Sequence, residues 1–394
     1  MYNHVIGRRL LLMSFFVSVA LALQSVSAQF PIKVPKVTKV EKPVNEPPKT
    51  SGQAPSTDQT YLRRPVASGK PILLRETIEI KAYTKESYWK FPNQGNYTSW
   101  VPQIIFHSFY DGSTTLRYMA EWTNADGSPW FSEALRYIAP GQSTAVLRSE
   151  YSEEIFNTKA VTSIGTYGVK VSDTKSGEVV FQGKFRANKK PFAPGDASLK
   201  NRNVFYVDNE WNMHIGYVGF NYDSPWDYLQ PIVFMWFRGR VDAADFEGRL
   251  FYNDQEIAST DGAGFVNISQ YRGEDCSKYE QDCRLQLMTF MWSKFMLENS
   301  NWVRRQKPDS LFTNDRPGKY TVKVFYKAQQ VREANFTIDP SGHIAQNSFS
   351  NQIPLANYRI VVPVKITGSM DRLLSASWKA DMFYANPLTG FEVQ

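Results

Sequence analysis

Cysteine and histidine are scarce in this chain of 394 residues, which contains two cysteines and four histidines. Zinc and similar metals are held by clusters of such ligands, and the sequence has no His-Glu-x-x-His motif, phosphate-cradling glycine-rich loop or EF-hand calcium loop. His107 and His214 lie in predicted strands and His343 lies in a turn, so we interpret the first two as structural. We therefore expect no cofactor and a non-enzymatic protein.

The body of the chain, residues 73–394, has no net charge. The formal net charge is +7, but residues 73–394 contain 35 basic and 35 acidic residues, so the excess belongs to residues 1–72. Nucleic-acid binding requires a basic patch on a folded face or a dedicated motif, and we predict no nucleic-acid partner. Hydrophobic residues make up 42% and charged residues 21% of the chain, which excludes a mainly disordered or collagen-like protein.

Long apolar runs are missing after residue 28. Two arginines precede an apolar run over residues 10–23, and Val26 and Ala28 supply the small residues of a cleavage site. This pattern predicts a secretory signal peptide over residues 1–28. A membrane anchor is the alternative, but the run is short for a hydrocarbon core of about 30 Å. We therefore predict a secreted protein, periplasmic or extracellular, with no transmembrane segment after cleavage.

The two cysteines, Cys276 and Cys283, lie close together in a polar segment. In an oxidising compartment they can close a small disulfide ring. We favour this disulfide, with free thiols as the alternative.

Residues 29–72 contain eight of the 22 prolines and predict a disordered arm. Its basic residues Lys33, Lys36, Lys39 and Lys42 recur at every third position. Polyproline II also repeats after about three residues, so the four lysines would share one edge. A solvated spacer is the favoured interpretation. Contact with an anionic surface, such as an acidic wall polymer, a membrane or a partner, is the alternative.

The body of the chain predicts strands. Aromatic residues reach 14%, a composition that favours strands over long helices. Apolar residues alternate with polar ones, and turn residues separate the segments, which is typical of β-hairpins. In each of two segments, alternate apolar residues lie on one face of the predicted strand. These are Ile78, Ile80 and Ala82 in the first segment, and Leu116, Tyr118, Ala120 and Trp122 in the second.

The chain also contains an internal similarity. Residues 165–171 and 318–324 share the pattern Gly-x-Tyr-x-Val-x-Val, and residues 104–106 match 232–234. Both matches occur in the same order, which favours a duplication. The second copy then has about 25 additional residues between its matched strands.

Part of this insertion predicts a helix. Residues 285–298 place apolar side chains at helical spacing: Met288, Met291, Trp292 and Phe295. We therefore expect a short helical insertion in the second copy.

The Gly-x-Tyr-x-Val-x-Val segments resemble the strand of immunoglobulin-like sandwiches that carries a tyrosine corner, in which the phenol returns a hydrogen bond to nearby backbone. Neither copy has the paired inter-sheet cysteines of antibody domains. The resemblance implies an all-β fold with two tandem immunoglobulin-like β-sandwich units, the first at 73–196 and the second at 197–343.

Residues 344–394 are too few to bury a core alone, and we attach them to the second unit. They contain a predicted strand over residues 358–367. Pro363 cannot donate to a ladder, so it predicts that this strand lies at an edge or bulge.

Two small sets of residues are candidate sites. Asp242, Asp245 and Glu247 are a candidate calcium site, although solvated turn residues are the favoured interpretation. Trp89, Trp100 and Trp226 lie in or beside predicted loops, where a side chain can face a ligand such as a sugar ring.

These observations favour a secreted, non-enzymatic structural or interaction protein of the cell envelope or of an extracellular assembly, which binds a protein partner through its β-sandwich units. A carbohydrate-binding protein that uses exposed tryptophans is the alternative. A secreted hydrolase is the third class.

Overall fold

The computed structural model describes residues 71–85, 96–109, 116–138, 144–150, 152–191, 197, 201–221, 229–239, 241–261, 264–272, 285–298, 301–353, 355, 359–368, 370 and 382–393. Strands account for most of the secondary structure in these residues, which confirms the all-β prediction. Within the described ranges, no helix has the length and apolar character that crossing a membrane requires. The signal peptide, the arm up to residue 70 and the two cysteines lie outside them, so those predictions are untested.

The first nine strands form two antiparallel sheets, and we call this part the N-terminal half. Its elements are β1 (Ile72–Lys85), β2 (Asn96–Phe109), β3 (Tyr118–Thr123), β4 (Pro129–Ala134), β5 (Arg136–Ile138), β6 (Thr144–Arg148), α1 (Glu153–Lys159), β7 (Gly165–Asp173), β8 (Val179–Pro191) and β9 (Asn203–Val207). A four-stranded sheet has the order β1-β2-β6-β5, and a five-stranded sheet has the order β4-β3-β7-β8-β9.

The later strands form the C-terminal half. Its elements are β10 (Ile215–Phe220), β11 (Pro231–Arg238), β12 (Phe246–Tyr252), β13 (Gln255–Ser259), β14 (Gly264–Arg272), β15 (Leu285–Trp292), β16 (Phe295–Met296), α2 (Asn301–Gln306), β17 (Leu311–Phe312), β18 (Gly318–Tyr326), β19 (Gln329–Ile338) and β20 (Ile360–Ile366). Nine of these strands form one sheet in the order β13-β12-β18-β19-β20-β10-β11-β15-β14. β16 and β17 form a separate parallel pair.

The two halves share one strand order. β4-β3-β7-β8-β9 corresponds position by position to β13-β12-β18-β19-β20, and β1-β2-β6-β5 corresponds to β10-β11-β15-β14. A short helix lies ahead of β7 and another ahead of β18. The halves differ where the two groups of strands meet, because β20 pairs with β10 whereas the described parts of β9 and β1 belong to separate sheets.

The Gly-x-Tyr-x-Val-x-Val segments occupy equivalent strands, β7 and β18, and their burial alternates identically along the strand. The Tyr167 hydroxyl donates to the Ser163 carbonyl oxygen at 3.1 Å, and the Tyr320 hydroxyl donates to the Arg316 carbonyl oxygen at 2.6 Å. The predicted hydrogen bond from phenol to nearby backbone is therefore present in both halves.

The second match, between residues 104–106 and 232–234, is shifted by one position. Phe106 faces the core of its own half, where its ring lies 6.0 Å from that of Tyr118 in β3. Ile232 and Phe234 instead face away from the inner cluster of their own half, which contains Val233. A shift of one residue moves a strand's side chains to the opposite face, so this match does not align equivalent positions.

The predicted helix over residues 285–298 is wrong, because the segment forms strands β15 and β16. The first six residues of β15 are all buried, since alternate side chains join two different apolar clusters. A strand that is buried on both faces loses the alternation that identifies strands. Its apolar residues then fall at helical spacing by coincidence.

The expected edge position of the strand around Pro363 is also wrong. β20 lies inside the nine-stranded sheet, where residues 360–363 pair with β10 and residues 364–366 pair with β19. Pro363 sits where pairing passes from one neighbour to the other, so a proline fits an internal strand here.

The C-terminal residues divide between the two halves. β20 belongs to the sheet of the C-terminal half, whereas Met382, Phe383 and Tyr384 join the apolar cluster of the N-terminal half. The same cluster includes Phe234, Trp236 and Leu287, which lie on the outer face of β11 and β15. The core of the N-terminal half therefore continues over the back of the C-terminal sheet.

Candidate functional site

The outer face of β1, β2 and β6 carries a polar pocket of about 350 Å³, which we call the outer pocket. Its lining residues are Glu79, Lys81, Gln103, Ile104, Ile105, Arg148, Ser149 and Glu150. The register of the sheet forms it: Glu79 lies opposite Ile105, and Ile105 lies opposite Arg148. Because side chains alternate along a strand, this row shares the face opposite the apolar core.

The charges of the outer pocket are balanced, with two carboxylates and two cations. The Lys81 Nζ atom lies 3.4 Å from Glu79 Oε1, and Arg136 donates to Glu150 at 2.9 Å. The Lys81 side chain is 43% exposed, so its charge is accessible to a partner. Such a mixed-charge surface suits a polar partner that presents complementary charges.

A buried carboxylate, Glu133, lies beneath the pocket. It accepts hydrogen bonds from the Ser149 hydroxyl at 2.7 Å and from Trp122 Nε1 at 3.0 Å. Burial raises the pKa of Glu133 above its ordinary value, and these two hydrogen bonds oppose the rise. The Ser149 hydroxyl also accepts from the Ile104 N–H at 2.9 Å. This network joins β2, β3 and β4 to Ser149, which directly follows β6, and it positions Ile104 and Ser149 in the lining of the pocket.

A second polar cavity, of about 680 Å³, lies beside β18 and β19, and we call it the amide groove. Amides and hydroxyls dominate its lining: Asn253, Thr321, Asn335, Thr337, Gln346 and Asn347, together with Asp254, Lys319, Phe336, Ala345 and Ile360. The Thr321 hydroxyl donates to Asn335 Oδ1 at 2.7 Å. Neutral donors and acceptors of this kind can bind hydroxyl-rich ligands.

Trp100 does not face a ligand. Its side chain is 0% exposed, its Nε1 donates to the Ser163 carbonyl oxygen at 2.9 Å, and its ring packs edge-on against Tyr167 at 5.0 Å. The prediction failed because this tryptophan lies inside β2 rather than in the adjoining loop. Trp89 and Trp226 lie outside the described residues, as do Lys33, Lys36, Lys39, Lys42, Cys276 and Cys283.

The three acidic residues of the calcium candidate have separate partners. Asp242 accepts from the Ala244 N–H, Asp245 lies 3.5 Å from Lys327 Nζ, and Glu247 accepts two hydrogen bonds from Arg249. Among the described residues, no group of three histidine, cysteine or acidic side chains is arranged to hold a metal ion. Asp242 and Asp245 belong to a 3-10 turn, whereas Glu247 lies in strand β12 and not in a turn.

The histidines occupy three different surroundings. Burial lowers the pKa of His107 and of His343, and His343 Nδ1 lies 2.9 Å from the Ser341 hydroxyl. His214 is buried at the end of a 3-10 turn that joins the two halves.

Sequence reasoning did not predict that the turn Glu210–His214 is buried. All five of its residues are buried, including the polar ones. Glu210 forms an ion pair with Arg238 at 2.5 Å, with both side chains at most 10% exposed. Arg332 is 0% exposed and donates to the Trp236 carbonyl oxygen at 3.2 Å. A polar segment between two strands is typical of an exposed loop, and nothing local indicates that the two halves cover it.

Comparison of the chain with protein-family models and with curated proteins gives no match.

Proposed function

We propose that the protein is a secreted, non-enzymatic interaction component of a cell envelope or extracellular assembly, and that it binds a polar protein partner through the outer pocket. One observation carries this proposal: equivalent faces of the two halves have opposite chemistry. The outer face of β10, β11 and β15 is apolar and buried, whereas the outer face of β1, β2 and β6 carries charged side chains and a pocket.

The outer face of the C-terminal half is a buried contact within the molecule, which we call the joint. The outer face of the N-terminal half is accessible to a partner. Trp236 and Phe234 hold the C-terminal half to the rest of the chain, and both are buried. The corresponding face of the N-terminal half has a half-buried Lys81 and an exposed Arg148, beside carboxylates. Charge complementarity on such a face controls the association rate and the choice of partner.

We further propose that the two halves are tandem immunoglobulin-like sandwich units that arose by duplication. The shared strand order supports this, as do Tyr167 and Tyr320, which occupy equivalent strands and make equivalent hydrogen bonds. Stacked aromatics accompany both, since Phe185 lies 5.9 Å from the Tyr167 ring and Phe336 lies 5.4 Å from the Tyr320 ring.

Charge reversal at the outer pocket tests the proposed function. We expect the wild type to occur in a high-mass fraction of the secreted material, because it is bound to its partner. The Lys81→Glu/Arg148→Glu variant should be secreted and folded but absent from this fraction. The matched control is Lys175→Glu/Lys307→Glu, which makes the same charge change at exposed positions away from the pocket. Equal retention of both variants would contradict the proposal.

Secretion itself has a direct test. N-terminal sequencing of the mature protein should begin at Gln29, and intact-mass analysis after alkylation without reductant should detect no free thiol at Cys276 or Cys283. An intact Met1 on the mature product would overturn the export proposal.

The amide groove favours a second candidate function, carbohydrate binding. Its neutral amides and hydroxyls are placed to hydrogen-bond sugar hydroxyls. Five tryptophans are at most 1% exposed and so are not accessible for stacking on a sugar: Trp100, Trp122, Trp211, Trp236 and Trp292. A glycan array separates the candidates. Binding that is lost in Asn335→Ala but kept in Lys81→Glu/Arg148→Glu would favour carbohydrate.

A further inference from the structure

In the N-terminal half, β1 and β9 lie close together but do not pair, and we call the line between these two strands the seam. In the C-terminal half, four residue pairs between β10 and β20 close the equivalent position. In the N-terminal half the described strands β1 and β9 belong to separate sheets. Backbone donors along this seam therefore need partners from elsewhere, because buried N–H groups are nearly always hydrogen-bonded.

Tyr384 supplies those partners from near the other end of the chain. Its hydroxyl accepts from the Ile80 N–H in β1 at 2.8 Å, and its carbonyl oxygen accepts from the Lys184 N–H in β8 at 2.7 Å. Ile104, which lies opposite Ile80, exchanges its own backbone hydrogen bonds with Ser149 on the far side of β2. The Ile80 N–H accordingly points to the outer edge of β1.

Aromatic packing holds this segment in place. Met382, Phe383 and Tyr384 are at most 1% exposed. The Trp211 ring lies 5.5 Å from Phe383 and 5.2 Å from Tyr384. We call residues 382–385 the clasp.

The surroundings are shaped for the backbone of the clasp. A Cβ atom on Gly183 would lie 2.9 Å from the Tyr384 carbonyl oxygen, so a glycine permits the close approach. Further along, Thr389 exchanges two hydrogen bonds with Gln352, at 2.8 and 2.9 Å. The segment thus fits its site through both main-chain and side-chain contacts.

The backbone of the clasp is strained. Phe383, Tyr384 and Ala385 have φ values of 49°, 61° and 56°. Each non-glycine residue in this left-handed region costs about 1–2 kcal/mol, so consecutive ones persist only where the surrounding contacts offset the cost. The contacts of the seam with Phe383 and Tyr384 are therefore strong enough to select one unfavourable conformation.

We propose that the part of the seam where Tyr384 bridges β1 and β8 is a peptide-binding site, which the chain fills with the clasp and the residues that follow it, up to residue 391. The ligand class is a peptide that presents an adjacent phenylalanine and tyrosine in a left-handed turn. Phe383 packs on Trp211, and Tyr384 accepts one main-chain hydrogen bond from each of the two sheets. The same sequence supplied as a separate peptide will bind a chain whose own clasp is weakened.

The first test measures binding of a fluorescein-labelled peptide of residues 382–393 by fluorescence anisotropy. The full-length Phe383→Ala/Tyr384→Ala variant should bind it at least about tenfold more tightly than the wild type, whose tethered clasp competes at high effective concentration. A peptide with Tyr384→Phe should bind about 2–10-fold more weakly, because it cannot accept from Ile80. Equal binding by the wild type and the variant would overturn the proposal.

The second test does not depend on the folding of the double variant. Full-length Tyr384→Phe removes only the hydroxyl, so the Ile80 amide should exchange hydrogen at least about fivefold faster while the Lys184 amide stays protected. An Ile80 amide that is unaffected by Tyr384→Phe would show that the clasp does not satisfy the edge of β1, and it would overturn the proposal even if peptide binding were observed.

Discussion

The N-terminal and C-terminal halves share a strand order and differ in how each is closed. The C-terminal half closes itself, because β10 and β20 pair across residues 215–218 and 360–363. The N-terminal half is closed by Tyr384, which bridges β1 and β8. The same arrangement of strands can therefore be completed by a neighbouring strand or by a distant segment of the chain.

The outer faces differ in the same direction. Every residue of β10 and β11 is buried, whereas β1 places Glu79 and Lys81 at the outer pocket. The C-terminal half buries its outer face at the contact between the halves, whereas the N-terminal half has charged side chains on the corresponding face. Four experiments probe this comparison, from the largest expected effect to the smallest.

Removing a large side chain from the joint should have the largest effect. Trp236→Ala should lower the free energy of unfolding by about 3–5 kcal/mol, because it removes a fully buried aromatic side chain. Lys81→Ala on the equivalent face of the N-terminal half should change it by less than about 0.5 kcal/mol. Urea denaturation measures both, and similar costs for the two variants would refute the contrast between the faces.

Removing either tyrosine hydroxyl tests the equivalence of β7 and β18. Tyr167→Phe and Tyr320→Phe should each lower the free energy of unfolding by about 1 kcal/mol, since each removes a hydrogen bond to backbone. Tyr252→Phe is the control, because the hydrogen bond from Tyr252 to the Pro317 carbonyl oxygen is exposed. A loss in only one half would break the equivalence.

Relieving the strain of the clasp should produce a small gain. Ala385→Gly should raise the free energy of unfolding by about 0.5 kcal/mol, because the left-handed conformation costs alanine more than glycine loses in chain entropy. Ala160→Gly is the control, since Ala160 has a φ of −63° and gains no such relief. Destabilisation by Ala385→Gly would argue against strain in the clasp.

The smallest effect is a change in pH dependence. Burial raises the folded-state pKa of Glu133 above 4.5, so the folded protein holds this proton more tightly than the unfolded chain. The wild type therefore loses stability from this group as the pH rises from below 4.5 through the folded-state pKa. Glu133→Gln removes that loss, so its stability relative to the wild type should increase with pH across this window. Urea denaturation across a pH series, with Glu150→Gln as control, measures this, and a constant difference would contradict it.

The sequence was sufficient to predict several strands in which one face is buried and the other is not. Ile78, Ile80 and Ala82 alternate in sequence and are buried as expected, as are Tyr118 and Trp122. Prediction failed where both faces are buried, as in β15, because the joint between the halves removes the alternation. It failed again at Pro363, which depends on where one neighbouring strand replaces another.

The candidate sites depend even more on long-range pairing. Glu79, Gln103 and Arg148 come from three separate strands, and only the register of the sheet brings them into the outer pocket. Tyr384 meets Ile80 across 304 residues of sequence. Neither arrangement leaves a local pattern that spacing or composition could reveal.

Site-specific photo-crosslinking tests the proposed function most directly. A photoreactive amino acid at position 103, inside the outer pocket, should trap one discrete protein partner when the protein is secreted in its native setting. The adduct should diminish with rising salt, because salt screens exposed charges, and it should be absent from the Lys81→Glu/Arg148→Glu variant. The same probe at position 175 should yield no such adduct. Absence of an adduct from position 103, or the same adduct from both positions, would contradict the assignment of the outer pocket as the partner-binding surface.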